Sequence, residues 1–368
     1  MYSPSERSLT ASATLDCGAL RHNVAALCRH APAARCMVAV KANAYGHGIE
    51  RVALALKDQA DAFAVARVGE AAALRSAGID TRTVVLLEGV FDAEEAEVAA
   101  ALGCQLVVHS RTQLDLLAGA AELPARVWVK VNTGMNRLGF QPADAAALLS
   151  TVRAIAPDCD IGLMTHFACA DDPGSASYRH QRAAWSALAE LEFDAVSLGN
   201  SAALIGGEVG DLGAREWVRP GISAYGISPL RGATGADHGL IPVMVFSAGV
   251  IAEQQLRPGD AVGYGARFIA ERPMRIGVIA AGYGDGYPCQ MPDGAPVWVD
   301  GAAATVAGRV SMDLTTVDLS ALPQSGPGSR VELWGRGLPV ERVAAAAKTI
   351  PYELVTRVSA RVQRHYVA

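Results

Sequence analysis

Of the 32 basic residues in this 368-residue chain only four are lysines: Lys41, Lys57, Lys130 and Lys348. Two of them close apolar runs. Lys41 follows Cys36-Met37-Val38-Ala39-Val40, and Lys130 follows Val127-Trp128-Val129. Burial disfavours the ammonium form of a lysine, and the freed amine is a nucleophile toward carbonyl groups. The competing reading is a side chain whose stem packs along a rim while its head stays in water. Position alone does not choose between the two. Lys57, in the polar part of a helical pattern, and Lys348, near a helix end where a cation suits the dipole, read as ordinary solvated residues.

Other chemistry-bearing residues also stand just after apolar runs. They are Gly134-Met135-Asn136-Arg137, Thr165-His166, Gly199-Asn200-Ser201 and Arg219-Pro220-Gly221-Ile222-Ser223. Asn200-Ser201 and Gly221-Ile222-Ser223 offer hydroxyls and free backbone N–H groups of the kind that hold phosphate. A Schiff-base lysine facing a phosphate cradle points to pyridoxal 5'-phosphate. Gly-rich loops are common, so the cradle by itself is a weak signal.

The elements that must position these residues are legible as an alternation. Strand-like runs occupy 36–42, 62–67, 83–88, 105–110, 126–132, 160–167, 195–200 and 216–219. Helical patterns at 50–60, 70–77, 92–102, 111–121, 143–155 and 178–191 separate them. Near-continuously apolar strands alternating with helices read as parallel strands buried on both faces. Eight such units predict an α/β fold, a (β/α)8 TIM-type barrel, whose active site lies at the C-terminal strand ends. An open doubly wound sheet is the alternative, but no Gly-rich dinucleotide loop follows the first strand. Beyond about residue 240 strands crowd together between turn signals such as Pro292-Asp293-Gly294 and Asp300-Gly301. The run 339–348 is the one clear helical pattern left there. The expectation is therefore a barrel over 1–238 and a mostly β C-terminal domain over 239–368, with the boundary in the Gly-rich stretch 231–240.

Composition removes several classes of function. A formal net charge of −5 argues against a nucleic-acid stripe or a polybasic membrane surface. Seven scattered cysteines, none in CxxC spacing, make no zinc pattern and read as reduced thiols. The first twenty residues lack the charged start and apolar core of a secretory signal. The longest apolar stretch, 241–252, is too short to span a membrane and is broken by Pro242 and Ser247. A cytoplasmic enzyme without a metal is expected.

The run Ala39-Val40-Lys41-Ala42-Asn43-Ala44-Tyr45-Gly46-His47-Gly48 closely resembles the cofactor-attachment motif of alanine racemases. The likeness continues through Lys130-Val131-Asn132-Thr133-Gly134-Met135-Asn136-Arg137, Met164-Thr165-His166 and Arg219-Pro220-Gly221-Ile222. It runs on through Gly263-Tyr264-Gly265, Gly282-Tyr283-Gly284-Asp285-Gly286-Tyr287-Pro288, Gly308-Arg309-Val310-Ser311-Met312-Asp313 and Ile350-Pro351-Tyr352-Glu353. These blocks stand in family order across essentially the whole chain.

The resemblance implies pyridoxal-phosphate-dependent interconversion of L- and D-alanine by two bases. Lys41 would carry the cofactor and serve one face of the substrate, and Tyr264 would serve the other. A free tyrosine titrates near 10, so Tyr264 would need tuning by its neighbours. Arg219, backed by His166, would face the ring nitrogen. Because arginine keeps its proton, that nitrogen would stay largely unprotonated, which restrains transamination and decarboxylation. Arg137 would bind the cofactor phenolate and the substrate carboxylate, with the Met312 backbone assisting and Asp313 supporting. Tyr45, Asn200, Ser201, Gly221, Ile222 and Tyr352 would hold the cofactor, chiefly at its phosphate. Lys130 matches a family position where a carbamylated lysine holds the arginine seven residues on. The family also implies a homodimer with Tyr264 contributed in trans.

Two departures stand out. Asn132 replaces an acid found in many members, and Cys289-Gln290 follow Pro288 where an arginine is common. The rival readings are a racemase of broader range (serine or several amino acids), a barrel-type amino-acid decarboxylase, and a non-catalytic cofactor-binding protein. Arg219 argues against the decarboxylase, and the long β domain against the binding protein. Whether D-alanine is made for a cell wall or degraded stays open.

Overall fold

The computed structural model describes residues 9–80, 82–209 and 213–368. The start of the segment in which a secretory signal was sought, 1–8, lies outside them. The eight barrel strands are β2 (Arg35–Ala39), β3 (Ala62–Val65), β4 (Thr83–Leu86), β5 (Cys104–Val108), β6 (Arg126–Lys130), β7 (Asp160–Met164), β8 (Ala195–Ser197) and β9 (Trp217–Val218). They pair in parallel from β9 through β2 round to β8. Bridges Val196–Glu216 and Asn200–Arg219 join the two ends and close the ring. Every barrel strand expected from the sequence is present.

The barrel interior is a packed core. Met37, Ala39, Ala62, Ala64, Val85, Val107, Trp128, Met164, Ala195 and Trp217 fill it as one cluster. Four alanines leave room for two indoles, which meet edge to face at 6.0 Å. Gly162 is needed for the same reason: a Cβ there would sit 2.4 Å from the Trp128 ring. Trp128 Nε1 donates to Gln105 at 2.9 Å, so its polar atom is satisfied. With the bottom plugged, only the C-terminal strand ends are open to a ligand.

Some of the helices between the strands begin at a side-chain cap. Asp92 accepts from Glu95 N–H at 2.8 Å to start Ala93–Ala101, and Asn200 accepts from Ala203 N–H at 3.1 Å to start Ser201–Ile205.

The second domain contains β10 (Met244–Leu256), β11 (Ala261–Val262), β12 (Phe268–Ile269), β13 (Met274–Ile279), β14 (Pro296–Val299), β15 (Ala302–Val306), β16 (Thr315–Asp318), β17 (Arg330–Trp334) and β18 (Gln363–Val367). The order β13-β16-β15-β14-β17-β10, with β10 also pairing β13, closes a small antiparallel barrel. Register shifts after Phe246 and Val250 bend the 13-residue β10 so that it can serve several neighbours. The apolar run 241–252 is largely this strand.

Two features were not anticipated. A first strand, β1 (Ser12–Asp16), pairs with β10 and β18, so the chain starts in the C-terminal sheet before entering the barrel. The second domain also holds two helices rather than one, Val340–Ala346 and Pro351–Thr356, the latter begun by Pro351 at its first position. Among the described residues no helix is long and apolar enough to cross a membrane.

Candidate active site

Lys41 leads directly into a backbone turn that few sequences adopt. Ala42, Asn43, Ala44 and Tyr45 all have φ of 53–54°, four successive left-handed residues without a glycine. Each costs roughly 1–2 kcal/mol against the right-handed form, so tertiary contacts must hold the turn. Several do. Asn43 Oδ1 accepts from Ile49 N–H at 2.9 Å, and the buried His47 ring lies 2.8 Å from the Tyr45 carbonyl through Nδ1. Arg364 and Tyr366 on β18 donate to the carbonyls of Gly46 and His47, both at 3.0 Å. The C-terminal strand thus clamps the turn that aims Lys41 and Tyr45.

On the strand that pairs with β2, Arg219 is buried at the end of β9. It donates to the Thr165 carbonyl at 2.7 Å and to Ser197 Oγ, and lies 3.3 Å from His166 Nδ1. Burial lowers its pKa to about 10, which leaves it charged near neutrality. Burial, then Arg219, Lys130, Arg137 and Lys41, hold the His166 imidazolium well below the ordinary histidine range. The ring is therefore neutral. Since the guanidinium can only donate, Nδ1 carries the lone pair and Nε2 the proton.

Lys130 closes β6 and is 9% exposed. Burial, followed by the charges of Arg219, Arg137 and Lys41, lowers its pKa from 10.5 to about 8. Among the described residues it makes no ion pair, and the Glu88 carboxylate is the neighbour that favours its charged form. Arg137 lines one pocket with Lys130, Thr165 and His166. The loop bearing it is organised by Asn132, whose Oδ1 accepts from Gly134 N–H at 3.1 Å and Asn136 N–H at 2.9 Å. Four cations thus face one opening in a chain of net charge −5, an arrangement suited to anionic ligands.

The residues read as a phosphate cradle lie together. Ser201 Oγ accepts from Gly221 N–H at 2.9 Å and from Ser223 N–H at 3.4 Å. A Cβ on Gly221 would fall 2.7 Å from the Tyr45 hydroxyl, so a larger residue there would have to displace it. The Tyr45 ring is 5.0 Å from that of Tyr225 and 6.2 Å from that of Tyr352. Burial pushes Tyr45 up to about 12 and raises Tyr352 further, so both phenols stay neutral hydrogen-bond donors. Ile222 is buried beside them. Ser223 Oγ is buried with no partner among the described residues, an orphaned hydroxyl that a phosphate oxygen would satisfy. This donor set fits the phosphate of pyridoxal 5'-phosphate. Asn200 does a different job: its side chain caps the Ser201 helix and donates to the Phe167 carbonyl at 3.2 Å.

Of the C-terminal candidates Tyr352 lies beside Tyr45, whereas among the described residues no hydrogen bond, ion pair or ring contact joins Tyr264, Met312 or Asp313 to this mouth. Tyr264 is 72% exposed and, among the described residues, makes no hydrogen bond or ring contact. Met312 is 54% exposed, and its carbonyl accepts from Gly284 N–H at 2.8 Å. Asp313 pairs at 2.8 Å with Arg361, which also donates to the buried Asp285 at 2.8 Å. Arg361 therefore ties the Gly282–Tyr287 turn to the Met312 loop. Cys289 is exposed, with Sγ 3.5 Å from Gln290 Oε1.

Comparison with known proteins decides the family. The profile described as alanine racemase, N-terminal domain matches residues 15–229, and that described as alanine racemase, C-terminal domain matches 243–366. The chain belongs to the alanine racemase family. An alanine racemase from Azoarcus sp. (strain BH72) is 49% identical over 356 residues, covering 96% of this chain and 99% of that protein. The crystal structure of the biosynthetic alanine racemase from Pseudomonas aeruginosa superposes with a TM-score of 0.93 at 44% identity, covering 98% of this chain and 99% of that one. The alanine racemase of Bartonella henselae, solved with covalently bound pyridoxal phosphate, gives 0.87 at 30% identity over 97% of this chain and 99% of that one.

Sequence reasoning placed Ser223 in the phosphate cradle but gave no role to Glu70, Gln181 or Arg361, although all three hold site residues. Glu70, at the third position of its helix, carried a capping signal; Gln181 and Arg361 carried none.

Proposed function

We propose that the chain interconverts L- and D-alanine with pyridoxal 5'-phosphate as cofactor. One observation carries the reading: beside the β2 end that bears the Lys41 turn, β9 ends in a buried Arg219 that is backed by a neutral His166. Tyr45, Ser201, Gly221, Ile222 and Tyr352, with the orphaned Ser223 hydroxyl, would hold the cofactor phosphate. Asn200 supports this set by capping the helix that begins with Ser201. When bound, the cofactor supplies a conjugated ring that delocalises charge from the substrate Cα.

The chain's own residues do the rest. Lys41 holds the cofactor and, once free, exchanges the Cα proton on one face. Tyr264 of the partner subunit exchanges it on the other, since inversion needs a proton to leave one side and another to arrive from the opposite side. The exposure of Tyr264, Met312 and Tyr283 on one domain supports a homodimer that buries them. Arg219 donates to the ring nitrogen without protonating it and so restrains decarboxylation. Arg137 pairs with the substrate carboxylate, helped by the Met312 backbone, while Asp313 with Arg361 fixes the Met312 loop. Lys130, as a carbamate, turns a cation into an anion that anchors Arg137.

The test is incubation of protein and cofactor with L-alanine, with assay of D-alanine and of CO2. D-alanine without CO2 is expected. CO2 without D-alanine would overturn the assignment, and neither product would favour a binding protein. A panel of other L-amino acids reads the breadth.

A further inference from the structure

The strand ends of the barrel are tied together in pairs by side chains from the helices that follow. Glu70, on the helix Val68–Ser76 after β3, accepts from Ala66 N–H at 2.8 Å and Arg67 N–H at 3.2 Å with one oxygen. Its other oxygen crosses to the end of β2 and accepts from Ala42 N–H at 2.6 Å. Gln113, on Arg111–Ala118 after β5, accepts from His109 N–H at 2.9 Å and donates back past β4 to the carbonyls of Glu88 (2.8 Å) and Val90 (3.1 Å). Gln181, on Ala176–Ser186 after β7, accepts from Ala168 N–H at 2.8 Å. It donates to the His166 carbonyl at 3.1 Å and, past β6, to Thr133 Oγ1 at 3.3 Å. Ser201 joins the last pair, β8 and β9, through Gly221 and Ser223.

The residue type follows the groups to be joined. Both sides of Glu70 present N–H donors, so both of its terminal atoms must accept, and only a carboxylate does that. Gln113 and Gln181 each face an N–H on one side and acceptors on the other, so one terminal atom must donate, and an amide is required. Gln181 is 0% and Gln113 5% exposed, where a mismatched donor or acceptor finds no water to replace its partner.

We propose that Glu70 and Gln181 are positioning residues for the reaction at this mouth. Glu70 holds the N–H of the residue immediately after Lys41 and thereby sets the first step of the left-handed turn. Gln181 holds the His166 backbone and the Thr133 end of the loop that carries Arg137, and through His166 it fixes Arg219. Gln113 is the same device on a strand pair that bears none of the reacting groups. The inference rests on the reading of Lys41, His166 and Arg219 given above.

The isosteric exchanges Glu70→Gln and Gln181→Glu test it in the holoenzyme, with Gln113→Glu as control. Expected for Glu70→Gln is a kcat at least roughly tenfold lower with KM for alanine nearly unchanged, because displaced reacting groups slow chemistry more than binding. Amide hydrogen exchange should quicken at Ala42. Gln181→Glu should lower kcat likewise and shift the visible absorbance of the bound cofactor. Gln113→Glu should quicken exchange at His109 and leave kcat within about twofold. If Glu70→Gln does not fold, Glu70→Ala, which opens all three N–H groups to water instead of facing one side with a donor, is expected to fold and to lose kcat. A parental kcat in the Glu70 or Gln181 variants, or an equal loss in Gln113→Glu, overturns the proposal. A Lys41→Ala protein that retains turnover would sink the site reading, whereas loss in Lys41→Ala with parental kcat in Glu70→Gln would sink the positioning role alone.

Discussion

The guanidinium of Arg219 lies 3.3 Å from Nδ1 of a His166 ring that its surroundings keep neutral. Two groups that commonly carry charge thus make a one-charge pair, and Arg219 is held in it by donating to the Thr165 carbonyl and Ser197 Oγ as well. Arg219→Glu reverses this by placing an acid where the ring nitrogen would bind, so that nitrogen would hold a proton. Racemisation should fall by about 10²-fold or more, because a preorganised donor aimed at the reacting group is lost. Transamination of alanine to pyruvate should rise relative to racemisation, read as the ratio of pyruvate to D-alanine. An unchanged ratio would remove Arg219 from control of the reaction path.

Lys130 makes a prediction about pH. Its folded-state pKa of about 8 lies below the ordinary 10.5, so between these values the unfolded chain binds the extra proton. Stability attributable to this residue therefore rises with pH across that window, and the charged form costs the fold about 3 kcal/mol at neutrality. In CO2-free buffer the difference in urea stability between the parent and Lys130→Met should shrink from pH 8 to pH 10.5, with the variant the more stable at the acid end. At fixed CO2 pressure, a ¹³C carbamate signal should grow from pH 7 to pH 9 as the neutral amine becomes available. Its absence throughout that range would leave Arg137 without the proposed anchor.

Most of the barrel was legible because parallel strands buried on both faces read as apolar runs, and the ends of those runs name the site. What escaped was set by contacts distant in sequence. Ser12–Asp16 is a strand only because β10 and β18 flank it, and nothing in Ser-Ala-Thr-Leu-Asp points to partners at 244 or 363. The left-handed conformation of Ala42, Asn43, Ala44 and Tyr45 runs against local preference and is imposed by His47, Glu70, Arg364 and Tyr366. The exposure of Tyr264 could not be read from Gly263-Tyr264-Gly265, since the run fits a turn in any β domain equally well.

Gly221 and Ser223 separate cofactor binding from folding. Gly221→Ala would put a methyl group 2.7 Å from the Tyr45 hydroxyl and push it out of the cradle. Ser223→Ala removes a buried hydroxyl that has no partner among the described residues, so stability without cofactor should change by less than about 1 kcal/mol. Both variants should bind pyridoxal 5'-phosphate roughly tenfold more weakly or worse, as each disturbs a hydrogen bond to a charged group. Absorbance titration of the cofactor-free proteins measures this. Parental affinity in both would move the phosphate site elsewhere.

Tyr264 stands 72% exposed on a domain that leaves Met312 and Tyr283 uncovered as well. In the proposed homodimer a second subunit would bring Tyr264 to a mouth that contains another chain's Lys41. Tyr264→Phe and Lys41→Ala should each abolish racemisation alone. Mixing them after reversible dissociation should restore activity. In a heterodimer the Lys41→Ala chain lends its Tyr264 to the Lys41 of the other, which rebuilds one site of two. Random pairing then returns about a quarter of the parental rate, since half of the dimers are mixed. If Tyr264 served its own chain, neither subunit in the mixture would hold a complete pair, and the mixed sample would stay as inactive as its parts.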